Sequence, residues 1–212
     1  MPSSAAASRP LTDLWLGLRV WRVRRLLAWA LIAAACWQIV PTTPIPVPTQ
    51  DGAASVLWPL VPVLYCMACA PSLHRLHGHM ETLAPSATRL RAMAVAMTVT
   101  IGGLVGLTAW RFDSAVTYRN TAALLGLALL SSTLASPRTS WLPTVLIPMI
   151  MWLFGARPDH QGMHPWAFLL SPADSPLATV AAVTLLVTGA TVYIARPQIG
   201  FAQGHPMHRR SR

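Results

Sequence analysis

"TAALLGLALLSSTLA", residues 121–135, decides the fold. It carries no charge, and its apolar residues do not alternate with polar ones. A barrel strand must differ between its two faces at every second residue, whereas a helix in apolar surroundings need not. The stretch therefore predicts a helix that is apolar all round. Outward from it, the uncharged run extends over 120–137, and five further runs of the same kind cover 26–50, 52–73, 92–110, 139–156 and 175–195. A bilayer-spanning helix needs about 20 predominantly apolar residues. The six runs predict an all-α polytopic membrane protein with six transmembrane helices, the first broken by Pro41, Pro44, Pro46 and Pro48 and borrowing Trp21 and Val23.

Composition agrees: 54% of the 212 residues are hydrophobic and 10% are charged. All 16 basic residues are arginine. Without lysine the chain has no P-loop of its own, because that loop needs its lysine at the nucleotide phosphates, and it forms no lysine Schiff base. The net charge of +10 suits nucleic acid only until the arginines are placed. With a cytoplasmic N-terminus and six spans, Arg9, Arg19, Arg22, Arg24, Arg25, Arg75, Arg89, Arg91, Arg138, Arg196, Arg209, Arg210 and Arg212 lie inside. Arg111, Arg119 and Arg157 lie outside. That asymmetry follows the positive-inside rule and predicts a multi-pass membrane protein with both termini cytoplasmic and no nucleic-acid partner.

Residues 1–10 are rich in Ser, Ala and Pro and read as disordered. "LTDLWLGLRVWRVRR", residues 11–25, sets Leu11, Leu14, Trp15, Leu18 and Trp21 at helical spacing beside arginines, which predicts an interfacial amphipathic helix opening a transmembrane domain over 11–196. Residues 197–212 form a basic cytoplasmic tail. No short apolar core with a small-residue cleavage site stands at the start, so the first helix reads as a retained anchor. "PTTPIPVPTQDG", residues 41–52, reads as an extended, proline-stiffened outer loop. In the third run Gly102 and Gly106, preceded by Ala92 and Ala96 at the same four-residue step, predict a helix-packing face.

The runs hold no Asp, Glu, His or Arg, the groups that relay protons or bind ions within a membrane, which disfavours an ion-coupled carrier. Neither GxSxG nor HExxH occurs, and the serines of the runs have no base beside them, so the chain is not expected to be an enzyme. Gln38, Thr98, Thr100, Asn120, Ser131, Ser132, Thr184, Thr188 and Thr191 remain as hydroxyls and amides that bond helix carbonyls or line a path. Cys36, Cys66 and Cys69 sit inside runs and read as small packing residues, with no disulfide expected.

Between the second and third runs lies "HRLHGHMETLAPSATRLR", residues 74–91. His74, His77 and His79 do not share one helical face across Gly78, so even with Glu81 they make no convincing tetrahedral metal site. His160 and His164 stand four apart, but Gly162 and Pro165 favour a loop there. No metal and no cofactor is expected. Arg75, Arg89 and Arg91 suit either a protein partner or anionic lipid head groups.

In this loop the order Glu81, Thr82, Leu83, Ala84, Pro85 resembles the coupling loop of ABC-2 type ABC transporter permeases, in particular the compact six-span permeases of high-GC Gram-positive bacteria. "YRNTAALLGLALLSSTLASPRTSWLP", residues 118–143, and "HPWAFLLSPADSPLATVAAVTLLVTG", residues 164–189, are also similar to that group. The resemblance implies a permease subunit of a bacterial plasma membrane that moves a substrate as a homo- or heterodimer. A separate ABC ATPase subunit would dock on His79, Met80, Glu81, Thr82, Leu83 and Pro85. A membrane scaffold or sensor without transport is the alternative.

Overall fold

The computed structural model of the protein describes residues 23–48, 54–74, 87–157 and 163–195. The chain is mostly helical, with six α-helices among the described residues: α1 (Val23–Ile39), α2 (Pro62–His74), α3 (Ala87–Leu107), α4 (Ser114–Leu134), α5 (Leu142–Phe154) and α6 (Pro176–Ala195). One helix falls on each uncharged run. Short 3₁₀ turns, Trp58–Leu60 and Phe168–Leu170, lead toward α2 and α6. The proline-rich loop adds a small hairpin, β1 (Ile45–Pro46) antiparallel to β2 (Ala54–Ser55), with Ile45 opposite Ser55 and Pro46 opposite Ala54.

α4 is the axis of the bundle. Asp113 starts it, its carboxylate accepting from the N–H groups of Ala115 at 2.9 Å and Val116 at 3.2 Å. Such a cap satisfies donors that the first turn leaves open. The helix stops at Leu134, before Ser136-Pro137, because the residue preceding a proline is pushed out of helical geometry. Between these ends its buried residues lie on all sides, from Val116 and Thr117 to Ser131 and Ser132. α2, α3, α5 and α6 all pack on it.

The closest approach is between α4 and α6. A Cβ added at Gly126 would strike the backbone of Leu185 and Leu186, and one at Gly189 would strike the backbone of Gly126. Two glycines thus let the two backbones touch. Ala178, Ala182, Gly189 and Tyr193 form the buried stripe of α6, and Leu26, Ala30, Ala33 and Trp37 form that of α1. Both stripes have the recurrence of one helix face.

The outer faces are apolar as well. Leu31 is 71% exposed and Val180 62%, with Leu27, Leu104, Leu146, Ile150, Val183 and Val187 also exposed. The bundle thus carries an apolar outer belt, interrupted on α6 by the exposed Thr184, Thr188 and Thr191.

Six helices were expected and six are present, but six membrane crossings are not supported by their length and composition. Among the described residues, two helices are long and apolar enough to cross a membrane, Thr88–Leu107 and Pro176–Ala195. α2 and α5 have 13 residues each. At about 1.5 Å per residue they rise about 20 Å, against a hydrocarbon core of about 30 Å. α1 has 17 residues and carries Arg24 and Arg25 in its first turn. α4 has 21 residues but holds Arg119 and Asn120 in its second turn. The interfacial helix expected over 11–25 lies outside the described residues, apart from the start of α1.

Candidate functional site

The bundle has two polar ends. At one, α1 and α3 finish while α2, α4 and α6 begin. Arg119 is buried there on α4, donating from Nη1 to the Pro172 carbonyl at 2.8 Å and from Nη2 to the Ser171 carbonyl at 2.6 Å. Its Nε donates to Asn120 Oδ1 at 3.3 Å. Asn120 is fully buried, and its Nδ2 donates to the carbonyls of Leu169 at 2.6 Å and Pro59 at 3.1 Å. Two adjacent side chains thereby hold the turn before α2 and the segment before α6 against α4. A guanidinium out of water is tolerated when its donors are used in this way.

Next to this clamp Trp37, Trp58 and Phe112 close the same end, with ring centroids 5.2 Å apart for Trp37–Phe112 and for Trp58–Phe112. Gln38 and Arg111 cross-link α1 and α3, Gln38 Nε2 donating to the Thr108 carbonyl and Arg111 Nη1 to the Gln38 carbonyl. The loop following α5 returns through an antiparallel bridge between Ala156 and Met163, and both pack on Val47 of the hairpin.

At the opposite end, α2 finishes at His74 and α3 begins at Ala87. The coupling residues His79, Met80, Glu81, Thr82, Leu83 and Pro85 lie outside the described residues, but the roots of their segment are placed. Tyr193, fully buried near the end of α6, donates from its hydroxyl to the Leu73 carbonyl at 3.2 Å. Arg91, buried in the second turn of α3, donates from Nη1 to the Ile194 carbonyl at 3.3 Å. A cation at a helix C-terminus meets carbonyls that lack intrahelical partners. Arg91 is therefore built into the bundle, where a lipid-facing or partner-facing role had been expected; Arg89 is exposed. One level deeper, Tyr65 donates to the Thr98 carbonyl at 2.8 Å, joining α2 to α3.

The predicted packing residues divide. Gly102 and Gly106 are buried; a Cβ at Gly102 would meet Leu125 and Thr121 of α4 at 3.1 Å, and one at Gly106 would meet the Tyr118 ring at 2.8 Å. Ala92 and Ala96 are exposed. Gly102 lies six positions after Ala96, and at 3.6 residues per turn that step leaves the face. Cys66 and Cys69 are buried in the core as free thiols. Of the loop histidines, His77, His79 and His160 lie outside the described residues. His164 gives its N–H to the Gly155 carbonyl at 2.8 Å, and its ring lies on Trp166. Among the described residues no three His, Cys, Asp or Glu side chains come together as metal ligands.

Sequence reading missed the Arg119–Asn120 clamp. Its signal was the adjacency of the two residues at the lip of an otherwise apolar run, where the cost of burial makes a polar pair worth explaining. Comparison with known proteins gives no match to a family model, a curated protein or a solved structure.

Proposed function

We propose that the chain is the permease subunit of an ABC-2 type transporter, non-enzymatic itself, working as a dimer and driven by a separate ATPase that docks on residues 79–85. The six helices cross the membrane in alternation, with both termini and the 75–86 segment cytoplasmic. The exposed apolar belt on α1, α3, α5 and α6 meets lipid, and α2 and α5 reach the interfaces through their flanking turns and local thinning of the bilayer.

The observation that carries this reading is the anchoring of the segment's two roots. Leu73 at the end of α2 and Arg91 in α3 both bind the last turn of α6, at Tyr193 and Ile194. A load applied between residues 74 and 87 therefore enters α2, α3 and α6 together, and passes to α4 at the Gly126–Gly189 contact. An unanchored connector would absorb the same load.

The test replaces Leu83 with Asp and Glu81 with Arg. An apolar anchor in a docked helix commonly contributes 2 kcal/mol or more, about thirtyfold in affinity. Both variants should insert and express normally but fail to co-purify with the ATPase that the parent chain retains. Full partner binding by both variants would remove the coupling role.

A further inference from the structure

Among the described residues, five buried side-chain polar atoms have no hydrogen-bond partner: Trp37 Nε1, Ser55 Oγ, Ser140 Oγ, Thr144 Oγ1 and Trp152 Nε1. Three of them belong to α5 and the turn that leads into it, and Ser140 and Thr144, one helical turn apart, are both 0% exposed. Four other buried serine and threonine hydroxyls of the bundle are satisfied locally. Ser72 donates to the Ala68 carbonyl at 2.7 Å, Thr117 to Asp113 at 2.9 Å, Thr121 to Thr117 at 2.8 Å and Ser132 to Leu129 at 2.7 Å. That back-bonding needs a helical turn preceding the hydroxyl. Ser140 and Thr144 stand before and within the first turn of α5, where the backbone behind them is not yet regular helix. The Ser136 carbonyl, the natural acceptor for Ser140, already takes the N–H groups of Thr139 and Ser140.

The backbone adds a further acceptor. Pro148, buried inside α5, has no N–H to give the Thr144 carbonyl. Trp141 at the N-cap gives no side-chain bond to the first turn of the helix, its Nε1 donating instead to the Arg138 carbonyl at 2.9 Å. One level of the bundle thus collects two free hydroxyls and a carbonyl released by proline, on a helix packed against α2 and α4. No charged side chain shares that level among the described residues of α2, α5 and the inner half of α4, and Arg138 is exposed. An ion there would lack a countercharge, whereas a neutral group that both donates and accepts matches the set.

We propose that Ser140 and Thr144 form an internal binding site for a small neutral hydrogen-bonding molecule, either water or the hydroxyl of a solute. The site stands on burial and hydrogen bonding and holds whether or not the chain is a permease. α2 and α5 are also the short, proline-interrupted helices at the centre of each three-helix half, the place where membrane bundles commonly open to a ligand.

The test uses the full chain with Cys36, Cys66 and Cys69 changed to Ala, in lipid vesicles. Single cysteines at Ser140→Cys and Thr144→Cys are labelled with a small methanethiosulfonate, with Leu129→Cys as the dry control. A thiol among apolar atoms stays protonated and slow, so a hydrated site should label about tenfold faster than Leu129→Cys. Glycerol is then added as competitor. Slowing at Thr144→Cys but not at the exposed Ser136→Cys identifies a site open to solute hydroxyls, and unchanged rates identify water as the occupant. Thr144→Val supplies an independent sign: an occupied site loses bonds and melts lower, while Thr144→Ser melts like the parent. Labelling no faster than Leu129→Cys, or a Thr144→Val protein that melts higher than the parent, overturns the proposal.

Discussion

Arg119 and Asn120 show how two side chains can organise one end of a bundle. The asparagine gives both N–H bonds to carbonyls on other elements and accepts from its neighbour, so three groups depend on one fully buried amide. Asn120→Ala would strand the Pro59 and Leu169 carbonyls together with one arginine donor. Each buried group left without a partner costs about 1–3 kcal/mol, so a loss of at least about 3 kcal/mol is expected in thermal unfolding in detergent. Asn120→Asp should be worse, because its carboxylate would face two carbonyl oxygens. Arg119→Lys keeps the charge but loses the planar fork that reaches Ser171 and Pro172 together, and should recover only part of the parent's stability. If Asn120→Ala melts like the parent, the clamp does not hold this end. None of these partners was legible in the sequence. Asn120 reads there as one of several scattered polar groups, because its partners come from distant loops that only the folded chain brings near.

Among the helices, glycine sets how closely they pack. At Gly126 and Gly189 an added methyl would meet backbone, which cannot swing aside. At Gly102 it would meet the tips of Leu125, Thr121 and Tyr65, and at Gly103 nothing within 4 Å. A graded series follows. Gly126→Ala and Gly189→Ala should force α4 and α6 apart and cost about 1–3 kcal/mol. Gly102→Ala should be tolerated with small shifts. Gly103→Ala should stabilise by about 0.5–1 kcal/mol, because alanine orders the helix backbone at lower entropy cost. Thermal melts of the four variants check the order, and a Gly126→Ala protein as stable as Gly103→Ala would refute the close contact. The GxxxG pair of α3 was legible because its spacing is local. The tighter α4–α6 contact uses a single glycine from each helix, far apart in the chain, and no local spacing marks it. Helix number was readable from the uncharged runs, since removing charge for that length leaves few alternatives. Helix length was not, because Pro62, Pro71, Pro143 and Pro148 trim or bend runs that composition alone counts as continuous.

At the scale of the whole molecule, the open tension is between six uncharged runs and the two helices that, among the described residues, are both long and apolar enough to cross a membrane. The arginine distribution bears on it, because it favours one orientation strongly only if every helix crosses. α2 and α5 are where the proposal can break, since each is about 10 Å shorter than the hydrocarbon core. A helix that fails to cross leaves both its flanks on one side, so single cysteines across each short helix decide the matter. In the background lacking Cys36, Cys66 and Cys69, Asp51→Cys and Ser86→Cys bracket α2, and Arg138→Cys and Gly162→Cys bracket α5. In intact cells a membrane-impermeant maleimide should reach Asp51→Cys and Gly162→Cys, and should reach Ser86→Cys and Arg138→Cys only after permeabilisation. Labelling of both members of a pair from outside, or of neither, would show that helix to be re-entrant. For α2 the consequence goes further: Ser86 reached from outside would put residues 79–85 on the wrong side for any cytoplasmic ATPase, and the coupling proposal would fall with the topology.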